Sequence, residues 1–220
     1  MRVLVLLGAP GAGKGTQAAI LAQRLGLPHV ATGDLFRAAV RAGTALGREA
    51  QRYMEKGELV PDAITLEMLL ERLDRLDARE GVIVDGFPRN AVQAEALEAA
   101  LLTRGERVDR AILVDVPAED LVGRLSGRWI CRMAGHPYHI VTNPPRIPGI
   151  CDVDGSPLEQ REDDRPEIVR ARLARQLGPL QSVVEYYRAR GVLRTVDGRR
   201  PIEDVTSDLI AAVEPVRPQA

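Results

Sequence analysis

The run Gly8-Ala9-Pro10-Gly11-Ala12-Gly13-Lys14-Gly15-Thr16 follows directly on five apolar residues, Val3-Leu4-Val5-Leu6-Leu7, and no other stretch restricts the chain so strongly. A short buried strand that ends in glycines and opens into a helix aims several backbone N–H groups at one point, where the helix N-terminus adds positive potential. Such a turn cradles phosphate. Gly8, Gly11, Gly13 and Gly15 are expected to let the backbone curl without a Cβ in the way. Lys14 can reach β- and γ-phosphates, and Thr16 offers a hydroxyl near a magnesium ion. A plain glycine-rich turn has no need of a lysine at this position. The usual pattern has Ser or Thr directly after the lysine; here Gly15 intervenes, a variant that narrows the family.

Two of the 30 basic residues are lysines, Lys14 and Lys56, and the rest are arginines. A lone arginine therefore says little in this chain, whereas Lys14 gains weight by contrast. The formal charge of −1 gives no general attraction to nucleic acid or to an anionic membrane, so anion binding has to be local. The apolar run after Arg2 is too short for a signal peptide and leads straight into the glycine loop. No stretch approaches the roughly 20 apolar residues of a membrane span. Cys131 and Cys151 are too few for a disulfide framework, which points to the cytoplasm.

Along the chain, Ala18, Leu21, Ala22 and Leu25 recur at helical spacing before Gly26. A short strand, His29-Val30-Ala31, follows, and Thr32 or Asp34 is expected to cap a helix carrying Arg37. Residues 32–60 read as two or three short helices broken by Gly43, Gly47 and Gly57, with Pro61 starting the next helix. Gly81-Val82-Ile83-Val84-Asp85 is a buried strand whose carboxyl end carries an acid, where α/β sheets place ligands, so Asp85 can hold water on a phosphate-bound magnesium. A helix over 90–102, a strand over 110–116 and a helix after Pro117 continue the alternation, and near-continuous apolar strands argue for a parallel, doubly wound sheet. From 127 to 164 Pro, Gly, Cys and aromatics gather and helical periodicity disappears, as in a small β-type insert. A long helix kinked at Gly178-Pro179, a strand over 191–196, a helix over 202–213 and a frayed tail over 214–220 complete the expectation. The core is expected to comprise 1–30, 61–126 and 165–220, with inserts at 31–60 and 127–164.

The ordered motifs Gly8 to Thr16, Thr32-Gly33-Asp34-Leu35-Phe36-Arg37, Asp85-Gly86-Phe87-Pro88-Arg89 with Gln93, Gly127-Arg128, Tyr138-His139, Asn143-Pro144-Pro145, Arg161-Glu162-Asp163-Asp164, Arg172 and Val196-Asp197-Gly198 resemble the adenylate kinases of the long-lid bacterial type over essentially the full length. The resemblance implies a five-stranded phosphate-loop kinase fold with an AMP-binding insert and a lid. It also implies a monomer that transfers the γ-phosphate of ATP, as the magnesium complex, reversibly to AMP. Gly11, Ala12, Gly13, Lys14, Gly15 and Thr16 would hold the donor phosphates. Thr32, Arg37, Glu58, Leu59, Val60, Gly86, Phe87, Pro88, Arg89 and Gln93 would line the AMP site, with Gln93 reading the adenine edge. Arg124, Arg128, Arg161 and Arg172 would converge on the phosphates when the lid shuts, planar guanidinium groups being suited to phosphate oxygens. Pro137, Tyr138 and the backbone near Arg200 would flank the donor adenine.

Many relatives bind a structural zinc in the lid through four positions that here read Cys131, Ala134, Cys151 and Asp154. Ala134 cannot ligate and three ligands do not close a tetrahedral site, although His136 could supply a fourth. The expectation is two thiols in a lid held by hydrogen bonds and packing. Among rivals, pyrimidine nucleotide kinases share the fold but carry a short lid, and a GTP-using kinase for AMP differs only in the donor. A regulatory switch that reads guanine through Asn-Lys-x-Asp is excluded because neither lysine follows an asparagine. A zinc-ribbon nucleic-acid module lacks the ligands and the basic surface.

Overall fold

The computed structural model describes residues 1–56 and 60–213. Its central strand, β1 (Arg2–Leu7), lies between β3 (Gly81–Asp85) and β4 (Val108–Asp115), with β2 (His29–Ala31) and β8 (Leu193–Asp197) at the edges of a five-stranded sheet. All four pairings are parallel. Side chains alternate across a strand, and β1 shows it. Leu4 and Leu6 enter one core with Leu21 of α1 (Lys14–Leu25), Leu121 and Leu125 of α6 (Ala118–Ser126) and Leu209 of α8 (Ile202–Val213). Val3, Val5 and Leu7 enter the other, with Leu69 of α4 (Asp62–Leu73) and Leu97 of α5 (Ala91–Leu102). Burial on both faces is why these strands read as unbroken apolar runs. The 24-residue α7 (Pro166–Ala189) contributes Val169 and Leu173 to the first core and Val183, Val184 and Tyr187 to the second, continuing through Pro179.

Between β2 and α4 come α2 (Thr32–Arg41) and α3 (Ala45–Met54), which share a satellite core of Phe36, Ala50 and Val60. Two local expectations fail here. Gly47 does not break a helix but lies within α3, because a Cβ there would collide with the Ala39 carbonyl of α2; the glycine permits a close helix crossing. Neither Thr32 nor Asp34 caps α2, whose N-cap is Ala31; the Thr32 hydroxyl donates instead to Gly86 O, 3.1 Å away. Gly43, with φ +64°, does end its helix region. Gly57 and the tail 214–220 lie outside the described residues. Between α6 and α7, β5 (Arg128–Cys131), β6 (Pro137–His139) and β7 (Leu158–Glu159) form an antiparallel sheet in the order β6-β5-β7.

Candidate active site

Where β1 meets α1 the backbone takes positive φ at Gly8 (+146°), Gly11 (+87°) and Gly13 (+94°). A Cβ on Gly8 would lie 2.7 Å from the Val114 carbonyl, so conformation and space both demand glycine. Gly15 is different: it sits in the first turn of α1 without positive φ, and the curl of the loop does not depend on it. Because α1 begins at Lys14, the N–H groups of its first turn have no intrahelical acceptor and face the loop mouth. Lys14 Nζ donates to Gly8 O (2.8 Å) and Ala9 O (3.0 Å). Burial draws the Lys14 ammonium down to about 8, against the pull of Asp85 and with the repulsion of Arg89, Arg172 and Arg128.

Asp85 closes β3, and its charge acts on this ammonium. Burial pushes its carboxyl up, but His29, Lys14 and Arg89 outweigh that and keep it below the ordinary carboxylate range. His29 Nε2 lies 3.4 Å from Asp85 Oδ2, which gives a half-buried residue with no expected role a place beside the site. Asp85 is thus an anionic acceptor at the carboxyl end of a core strand, next to the glycine loop.

Two acids organise the arginines. Asp34 takes Arg37 at 2.5 and 3.1 Å and Arg161 at 3.5 Å, and the guanidinium charges together overcome burial to lower its pKa. Asp164, fully buried, takes Arg128 in a two-point contact (2.5 and 2.7 Å) and Arg172 at 3.6 Å. Arg124 donates to Gly198 O (2.9 Å), and Arg89 bonds Gly86 O (2.6 Å) and Gln176 (3.4 Å). Arg200 pairs with Asp204 and Asp208 of α8. Asp34 and Asp164 stand inside the quoted motifs but give no sign of this role in the sequence, because an acid among arginines shows its partner only once the chain is folded.

A cleft of about 1090 Å³ collects these groups. Its wall includes Gly11 through Thr16, Thr32, Arg37, Val60, Asp85, Gly86, Pro88, Arg89, Gln93, Arg124, Arg128, Pro137, Tyr138, Arg161, Arg172 and Arg200. Phe87, which the resemblance implies for the AMP site, is the exception: its side chain is 1 % exposed within the second core and is not on the cleft wall. Its peptide bond to Pro88 is cis. Glu58 and Leu59 lie outside the described residues. Met54 and Thr65 join the wall unforeseen; they face inward on helices whose apolar spacing alone cannot separate a cleft from a core.

A family model described as adenylate kinase matches residues 6–192. The chain belongs to the adenylate kinase family. It is 49 % identical to the adenylate kinase of Exiguobacterium sibiricum over 94 % of this chain and 97 % of that one. Adenylate kinases of Staphylococcus epidermidis and Staphylococcus aureus are 46 % identical over 94 % of this chain and 96 % of theirs.

The β-type segment between α6 and α7 holds Cys131, Cys151 and Asp154, and the structure brings His136 beside them. Donor atoms of Cys131, His136, Cys151 and Asp154 all lie within 4.8 Å of one another. Cys131 Sγ is 3.0 Å from Asp154 and 2.9 Å from Ser156 Oγ, and His136 Nδ1 is 3.3 Å from Cys151 Sγ. Burial and Asp154 raise the Cys131 thiol, but hydrogen bonds from Ser156 and from the Ala134 and Met133 N–H groups bring it down to about 7. His136 thus brings a donor near the two thiols where Ala134 provides none, so four N, S and O groups lie close enough to hold one metal ion.

Proposed function

We propose that this chain catalyses reversible transfer of the γ-phosphoryl group of magnesium-bound ATP to AMP, giving two ADP. The carrying observation is that one cleft joins the glycine loop and Lys14 to the Gln93 pocket, with arginines from both intervening segments on its wall. The reaction breaks the bond between the γ-phosphorus and the β,γ-bridging oxygen and forms one to an oxygen of the AMP phosphate. Its main demand is alignment and charge neutralisation. Lys14 and the N–H groups of α1 neutralise the donor phosphates. Thr16 and Asp85 would hold the donor magnesium, directly or through water, and Arg37 and Arg89 would hold the acceptor phosphate. Arg124, Arg128, Arg161 and Arg172 surround the group in transit. Pro137, Tyr138 and the backbone at Arg200 take the donor adenine.

Purified protein assayed with each donor and acceptor pair tests this reading. ADP forms from ATP and AMP only with magnesium, and GTP in place of ATP is the arm that separates a GTP-using kinase. Failure with every monophosphate would leave only nucleotide binding. No described helix is long and apolar enough to cross a membrane.

For the lid, the placement of His136 beside the two thiols supports a zinc site over packing alone. Cys131, His136, Cys151 and Asp154 would hold one zinc ion, whose chemistry there is to tie the lid strands together. Elemental analysis is expected to give about one zinc per chain, lost together with lid stability in His136→Ala; metal-free protein with unchanged melting would restore the packing account.

A further inference from the structure

Gln93 is 2 % exposed, and both ends of its amide are tied. The backbone N–H of Arg89 can only donate, so the amide oxygen faces it, at 2.6 Å. A carboxylate can only accept, so the amide nitrogen faces Asp62, at 2.7 Å. The other Asp62 oxygen takes the amide nitrogen of Asn90 at 3.3 Å. Asn90 cannot turn either, because its own oxygen accepts from Gln93 N at 2.7 Å as the cap of α5.

We propose that Asp62, in the first turn of α4 and outside the cleft wall, is a positioning residue that makes the acceptor site select 6-aminopurine over 6-oxopurine nucleotides by fixing the Gln93 amide in one orientation. The inference rests on the reading of the Gln93 pocket as the AMP site. After serving Arg89 and Asp62, the Gln93 amide has one lone pair and one N–H left. These match the amino group and N1 of adenine, a donor beside an acceptor. Hypoxanthine and guanine present the reverse, a carbonyl beside an N1–H. To read them the amide has to flip, which sets N–H against the Arg89 N–H and oxygen against the Asp62 carboxylate. Turning the base over instead is opposed by a phosphate anchored at Arg37 and Arg89. Selectivity thus comes from leaving buried polar groups mismatched with the wrong base.

The test compares kcat/KM for AMP and for IMP, which differ at the 6-position and N1, in wild type, Asp62→Asn, Asp62→Ser and Asp62→Glu. Asn and Ser can donate or accept, so the AMP-to-IMP ratio is expected to fall about tenfold or more, through the acceptor KM and with the KM for ATP unchanged. Glu keeps an acceptor-only carboxylate and retains most of the ratio, which separates orientation from packing. The two substitutions back each other should one fail to fold. A wild-type ratio in folded Asp62→Asn or Asp62→Ser, while Gln93→Leu loses discrimination, overturns the orientation lock alone. A wild-type ratio in Gln93→Leu overturns the lock together with the placement of the base. No turnover of AMP by the wild type overturns the functional reading beneath both.

Discussion

Lys14 carries its charge in a place that opposes it, since burial lowers its ammonium from 10.5 to about 8. Between those values the unfolded chain keeps a proton that the folded chain has released, so raising the pH across this window favours the folded state through this group. Activity should move the other way. kcat/KM for ATP is expected to fall above about pH 8 while the melting temperature holds, and the limb in kcat should lie higher because bound triphosphate favours the ammonium. A pH-rate profile beside a melting profile checks both signs. Lys14→Met should lower kcat by about 10³-fold or more, as expected when a preorganised donor to developing charge is removed, with normal far-ultraviolet circular dichroism. Near-normal turnover would take the loop lysine out of the chemistry. Lys14 was legible because it is one of two lysines after a glycine loop. Asp34, Asp62 and Asp164 were not, since an acid acquires meaning only from a tertiary partner such as Arg161, Gln93 or Arg128.

At the scale of elements, the parallel strands were readable because burial on both faces removes alternation, and Val3 to Leu7 and Gly81 to Asp85 show little else. Helix α3 was harder. A glycine in a helix costs about 1 kcal/mol relative to alanine, so Gly47 reads as a breaker until the Ala39 carbonyl is seen against it. Restoring the Cβ should therefore destabilise despite the better intrinsic propensity. Gly47→Ala is expected to cost about 1–3 kcal/mol by overpacking and to raise the KM for AMP, since α2 carries Arg37 on the other side of that crossing. Denaturant unfolding measures the first effect and steady-state kinetics the second; a stabilised variant would mean that the two helices separate easily. Phe87 misled in the opposite direction, a residue inside a site motif that serves the core.

Across the whole molecule, the cleft arginines come from well-separated places: Arg37 on α2, Arg89 after β3, Arg124 on α6, Arg128 on β5 with Arg161 before α7, and Arg172 on α7 itself. Asp34 reaches from α2 to Arg161, and Asp164 ties Arg128 to Arg172, so the two segments that flank the cleft are coupled through carboxylates. Phosphates compete with those carboxylates for the same guanidinium groups and, being more highly charged and offering more oxygens, gather them around one centre. On the proposed function both segments are expected to fold over the glycine loop when donor and acceptor are present, which would exclude the water that could otherwise accept the phosphoryl group. A ligand carrying two adenosines joined by a chain of phosphates is expected to fill both sites and select the closed arrangement. Small-angle scattering is expected to show a smaller radius of gyration with it than without. Arg128→Ala and Arg161→Ala should lower kcat more than they weaken AMP binding, because their phosphate contacts mature only on closure. A scattering profile unchanged at saturating ligand, with normal kcat in both variants, would mean that the segments are static and that water is excluded by some other means.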